Sequence, residues 1–138
     1  NSVLNDLLRE RNGWVYGVEA SYTQYSESGI LAISLGCDRS NLEKCLKETF
    51  KAIGRLQDTP LSERKLKAAK KQLLGQLAIS SDNGETQCLS MGKSLLSFGT
   101  VFSDGENVAA IENVSAEQLR SIACEILAPE RMSSLIYL

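Results

Sequence analysis

The apolar residues change period once along the chain, near residue 38, and that change limits the folds open to it. Upstream, WVYGVEASYTQY at 14–25 and ILAISLGC at 30–37 are rich in β-branched and aromatic residues, which favour strands. SESG at 26–29 reads as the turn between them, so the two segments predict a hairpin. Downstream, apolar residues recur at helical spacing almost to the end. Leu42, Cys45, Leu46, Phe50, Ile53 and Leu56 form one such stripe. QDTP and SSDNG interrupt the helical pattern.

Local signals place the helix ends. Val3, Leu4, Leu7 and Leu8 share one face of a first helix over 2–12, and Gly13 is placed to end it in a left-handed turn. Ser40 with Glu43, Ser103 with Glu106, and Ser115 with Gln118 have capping-box spacing. Ser62 can cap a helix running to about residue 80 on Leu66, Ala69, Leu73 and Leu77, with Leu61 and Leu66 spaced as a staple. ETQCLSMGKSLLSF reads as a further helix ended by Gly99, and MSSLIYL as a closing strand. The expected order is α-β-β-α-α-α-α-β. That is an α+β fold of two layers, with an antiparallel sheet and helices packed on one face. The other face is left for solvent, a partner or a substrate chamber.

Composition narrows function. The 138 residues suit one domain, and an apolar content of 43% excludes a disordered chain. A net charge of -2 with pI ≈ 5.2 argues against nucleic acid as partner. No apolar run approaches the ~20 residues that cross a bilayer, and no secretory pattern is seen. Cys37, Cys45, Cys88 and Cys124 form no C-x-x-C pair. The last three fall on expected apolar helix faces, so buried free thiols and a reducing compartment, cytoplasm or organelle matrix, are expected. The chain starts without Met and already in helical pattern, which suggests a piece of something longer.

The absence of histidine excludes Ser-His-Asp and Cys-His catalysis and the usual His-bearing zinc hydrolase site. GWVYG enters a strand rather than a helix, so it makes no phosphate loop. The carboxylate pairs Asp6/Glu10 and Glu43/Glu48 have solvated helical positions. Arg64, Lys65, Lys67, Lys70 and Lys71 read first as the wet face of an amphipathic helix and second as an anion site, without interleaved aromatics. Arg9 and Tyr16 stand seven apart across the Gly13 turn, where a helix end and a strand can converge. An Arg fork with a Tyr hydroxyl can clamp a peptide carbonyl or an oxyanion. A surface Arg and a half-buried Tyr are the plainer reading. By strand parity Tyr16 shares a face with Trp14, Val18, Ala20 and Tyr22, which would make it core if that face meets the helices.

The stretch SVLNDLLRERNGWVYGVEASYTQYSESGILAISLGCD resembles a segment of the insulinase/pitrilysin-like zinc metallopeptidases, the inverzincins, which include the mitochondrial processing peptidases. The matching positions are Ser2, Leu4, Leu8, Arg9, Glu10, Gly13, Tyr16, Val18, Gly36 and Asp38. Trp14 departs mildly, since a smaller apolar residue is usual there. LSERKLKAAKKQLLGQL and VSAEQLRSIACEILAPERMS continue the likeness in the right order. The resemblance implies that residues 1–138 are one C-terminal α/β half of a domain, like the half-domains of processing peptidases. It implies a zinc metalloendopeptidase in which an N-terminal half bears the zinc and its H-x-x-E-H motif. It also implies that Arg9 and Tyr16 bind peptide backbone and stabilise the tetrahedral intermediate. This chain would supply no zinc ligand and would be inactive alone. Paired domains or a dimer are expected partners, with no nucleic acid and no membrane. The alternative is a non-catalytic structural or partner subunit of the same fold.

Overall fold

The computed structural model describes residues 2–25 and 27–137. Asn1, Ser26 of the turn and Leu138 of the closing segment lie outside them. The chain divides into two compact units, Asn1–Thr59 with Ala123–Leu138, and Pro60–Ile122.

The first unit opens on a wide-pitched helix, Asn5–Glu10, rather than the regular helix over 2–12 that its spacing predicts. Arg11 N–H donates to Asp6 O at 3.0 Å, five residues back, which is the hydrogen bond of a π turn. Gly13 then takes φ 60, and Trp14 N–H returns to Leu8 O at 2.9 Å. Asn12 Nδ2 donates to Leu7 O at 2.7 Å, serving a carbonyl that the helix end leaves without a partner. The left-handed stop read at Gly13 is therefore present, on a wider helix.

Two strands follow, β1 (Val15–Gln24) and β2 (Gly29–Cys37), paired antiparallel from Gln24↔Gly29 to Val15↔Cys37. Leu8 and Cys45, both 0% exposed, and Val15 make the core. Leu4, Leu7, Trp14, Val18, Leu35 and Cys37 pack around it. Lys44 Nζ sits 5.8 Å from the Trp14 ring centroid, so the bulkier ring adds a cation–π contact at the rim of the core.

Cys45 belongs to α1 (Leu42–Asp58). A single 3₁₀ turn, Arg39–Asn41, precedes it, so Ser40 lies inside that turn and the Ser40/Glu43 capping box does not form. The buried stripe of α1 is Cys45, Thr49, Ala52 and Ile53, whereas Phe50 is 46% exposed, rotated off the stripe that was read from spacing. Near the C-terminal end of α1, Gln57 Nε2 donates to Ala123 O and Leu127 O at 3.2 and 2.9 Å, tying it to the final helix. Met132–Tyr137 joins no ladder, and the described sheet has two strands only. The closing strand expected there is thus absent from the described residues. A strand exists through its pairing, and among the described residues this segment pairs with none.

The second unit holds α2 (Glu63–Ser81), α3 (Gly84–Phe98), α4 (Asp104–Asn113) and the start of α5 (Ala116–Ile126), so five α-helices follow the hairpin among the described residues where the expected order has four. Ser62 stands at the N-cap of α2 but makes no side-chain cap bond. The other caps are chemical. Asn83 Oδ1 accepts from Thr86 N–H at 2.9 Å, Ser103 and Glu106 form a complete capping box, and Ser115 and Gln118 exchange reciprocal bonds. Gly99 ends α3 at φ 70. Phe98 and Phe102 then meet edge to face at 6.0 Å.

Candidate functional site

The site begins with an irregularity in the hairpin. Val15 pairs with Cys37 and Gly17 with Gly36, so Tyr16 is an extra residue, the bulge of β1. A bulge breaks the alternation of faces and re-aims one side chain. Val15 and Val18 both turn toward the core, and Tyr16 is thrown outward, 70% exposed. Simple parity, which made Tyr16 a candidate for the core, fails here because it assumes an unbroken ladder.

The Tyr16 ring lies against the end of β2. A Cβ added at Gly36 would sit 3.9 Å from Tyr16 Cδ2, an ordinary contact. Tyr16 Oη donates a hydrogen bond to Asp38 Oδ1 at 2.5 Å. That bond to a carboxylate holds the phenol's proton and raises its pKa above the usual value, followed by desolvation and the Asp38 and Cys37 charges, which act in the same direction. Tyr16 is therefore a protonated donor at neutral pH.

Arg9 lies in the last turn of the wide helix, exposed to solvent. Its backbone carbonyl accepts from Gly13 N–H at 2.9 Å, which fixes the turn. Among the described residues its guanidinium has no hydrogen-bond or ion-pair partner. The structure thus gives the Tyr16 hydroxyl to Asp38 and does not bond it to Arg9. Asp38 is the functional candidate that spacing arguments missed. It lies 22 residues from Tyr16, and its signal was the G-x-D end of the hairpin, at Gly36 and Asp38.

The remaining candidates carry little chemistry. Asp6 is paired with Arg11 at 2.7 Å and Glu48 with Lys51 at 3.2 Å. On the basic helix, Lys70 Nζ donates to Glu112 O at 2.6 Å, while Arg64, Lys65, Lys67 and Lys71 are exposed. All four cysteines are free. Cys45 is buried, and burial followed by the neighbouring Cys37 pushes its thiol up to about 11. Cys88 and Cys124 are exposed, contrary to the expectation of burial. α3 has no buried residue, and its Leu96 is 89% exposed, so the apolar face that was to hide Cys88 is uncovered. A shallow cavity of ≈ 290 Å³ lined by Val114, Gln118, Ser121 and Ile122 has no titratable group.

The residues present do not fit a zinc ion. The sequence has no histidine, and among the described residues no group of three or more His, Cys, Asp or Glu could hold a metal. No helix among the described residues is long and apolar enough to cross a membrane.

A bulged two-stranded antiparallel hairpin followed by helices, with an outward Tyr and no group of metal ligands among the described residues, defines an α+β chain. The chain belongs to the peptidase M16 family: residues 1–73 match the family described as "Peptidase M16 inactive domain". It is 26% identical over 136 residues to a protein of Rickettsia felis named as an uncharacterized zinc protease, covering 99% of this chain and 33% of that one. It is 22% identical over 129 residues to a protein of Bacillus subtilis named as the uncharacterized zinc protease YmxG, covering 94% and 32%. The chain thus spans about a third of the length of these relatives. Among solved structures, it is similar to a chain of complex III2 from Candida albicans with Inz-5 bound. The TM-score is 0.79 at 19% identity, covering 91% of this chain and 30% of that one. The periplasmic protease PqqL of Escherichia coli gives a TM-score of 0.66 at 15% identity, covering 88% and 14%. These two likenesses carry the fold.

Proposed function

We propose that this chain is the zinc-free, substrate-facing half of a zinc metallopeptidase that hydrolyses peptide bonds. In this reading residues 1–138 form one C-terminal half-domain. Its partner is an N-terminal half that holds the metal outside these residues, within a longer chain or in a paired subunit. The observation that carries the reading is Tyr16, which a bulge lifts out of the sheet as an exposed, protonated phenol. Tyr16 Oη donates to the substrate oxygen that gains negative charge as the carbonyl is attacked. Arg9, exposed and with no guanidinium partner among the described residues, binds a backbone carbonyl of the peptide and holds it in register. Free thiols suit a reducing compartment.

The test is peptide cleavage by the full-length protein, with and without a chelator, beside its Tyr16→Phe variant. Chelator-sensitive cleavage is expected. Loss of one preorganised donor should lower kcat roughly 10²–10³-fold, with zinc content unchanged. Equal turnover by wild type and variant would remove Tyr16 from the chemistry.

A second reading, a non-catalytic partner subunit, is favoured by one observation: the Tyr16 hydroxyl is already engaged by Asp38. No cleavage and no bound zinc in the full-length protein would select it.

A further inference from the structure

A phenol at neutral pH carries one proton and can donate one hydrogen bond. In this structure that donor is spent within the chain, on Asp38 Oδ1 at 2.5 Å. Asp38 forgoes an alternative to accept it. The residue is extended, φ -65 and ψ 147, at the N-cap of the turn Arg39–Asn41, where an Asp side chain ordinarily caps the exposed amides that follow. It makes no such bond, and the turn is closed instead by Asn41 N–H on Asp38 O at 2.9 Å. Among the described residues no Lys or Arg pairs with the carboxylate. Cys37, Arg39, Glu43 and Lys44 are the charged or titratable neighbours along the chain, and Lys44 lies over Trp14. The carboxylate and the phenol are thus each other's partners, brought together by the bulge at Tyr16 and the end of β2 at Gly36.

We propose that Asp38 is a positioning residue that sets the resting state of Tyr16. It holds the hydroxyl's proton, and a substrate oxygen must win that donor from the carboxylate before Tyr16 can act. The first half stands on the contact itself, and the second rests on the proposed role of Tyr16 in hydrolysis. No bond to hydrogen breaks: the O–H turns about the Cζ–Oη bond from Asp38 toward the substrate. A developing oxyanion competes better than a neutral carbonyl, so the competition falls on the chemical step more than on binding.

The experiment uses the full-length protein with Asp38→Asn and Asp38→Ala, each also in a Tyr16→Phe background. Tyrosine labelled with ¹³C at Cζ reports the titration of Tyr16 by NMR, independently of turnover. In both Asp38 variants the phenol should titrate at lower pH than in wild type. An unchanged titration overturns the proposal. For peptide cleavage, Asp38→Ala should raise kcat about three- to tenfold, the size of an exposed charge-assisted bond released, with KM little changed. That gain should vanish when residue 16 is Phe. A merely structural Asp38 would slow both backgrounds alike. A fall in kcat together with a shifted titration overturns the competition. A wild type that cleaves nothing defeats the proposed function, while the titration still decides whether Asp38 holds the proton.

Discussion

Replacing Gly13 with Ala isolates the conformational demand that turns the first helix into β1. Gly13 has φ 60, and a Cβ built on it would meet nothing within 4 Å. The whole cost is therefore backbone strain, about 1–2 kcal/mol for an L-residue in the left-handed region. Gly54 is the matched control. It lies inside α1 in the same unit, at negative φ, and a Cβ there also meets nothing within 4 Å. Ala at a helix interior is worth about 0.5–1 kcal/mol over Gly. Both substitutions remove similar freedom from the unfolded chain, so their difference reports the native backbone. That difference is about 1–2 kcal/mol, or roughly 1 M in urea midpoint for a small unit. The chain has a single tryptophan, Trp14, packed at the edge of the core, so its fluorescence follows unfolding of this unit. Gly13→Ala should unfold at lower urea than wild type and Gly54→Ala at higher urea. Gly13→Asn should lose less than Gly13→Ala, because Asn tolerates φ > 0 better. A Gly13→Ala midpoint equal to or above wild type would refute the assignment of a left-handed stop at this position.

Thiol labelling and acid titration check two further features. With a neutral-pH alkylating reagent followed by mass spectrometry, exposed Cys88 and Cys124 should be modified while buried Cys45, its thiol raised to about 11, stays protected until denaturant is added. Equal labelling of Cys45 in the native chain would disprove its place in the core. Ser103→Ala should cost about 1 kcal/mol at neutral pH, read as the loss in urea unfolding, because α4 loses its cap. Glu106 accepts from the Ser103 amide and hydroxyl, which hold its carboxyl below the usual glutamate range. A depressed folded pKa adds stability that is present above the unfolded glutamate pKa and is lost as pH falls through the folded one. The gap between wild type and Ser103→Ala should therefore narrow in acid, and a gap independent of pH would count against the capping box.

Much of this fold was legible because its signals are local. Gly13 and Gly99 mark chain reversals that only φ > 0 satisfies, and Ser103 with Glu106 and Ser115 with Gln118 close their caps within four residues. The hairpin was legible because strand formers flank turn residues. What escaped is set by distant partners. Ser40 matched a capping box in spacing, yet the tight turn at Arg39–Asn41 displaced it. Phe50 fits a helical stripe, yet the surface facing α1 buries Thr49 instead. Met132–Tyr137 has strand composition but pairs with no strand among the described residues. Cys88 and Cys124 sit on apolar stripes that neighbours do not cover.

The candidate site shows the same division in one residue. Seven-residue spacing singles out Arg9 and Tyr16 as candidates, but spacing could not decide which way Tyr16 faces, because an insertion in the ladder leaves no trace in either strand alone. The bulge resolves a conflict between core and site. Leu8 and Cys45 need apolar side chains from β1, and an unbroken strand could offer either the face of Val15 or that of Val18, never both. With one extra residue between them, both valines pack inward and the residue left over is held outside. A Tyr in that position is exposed whatever its neighbours' hydrophobicity, and its hydroxyl reaches the first carboxylate beyond the paired strand end, Asp38. The polar aromatic is thus a product of how the core is filled. Deleting Tyr16 would remove the bulge and leave Val15 and Val18 two positions apart, on one face of a regular strand, so the core should be kept, read as an unchanged urea midpoint followed by Trp14 fluorescence, while the candidate site is lost.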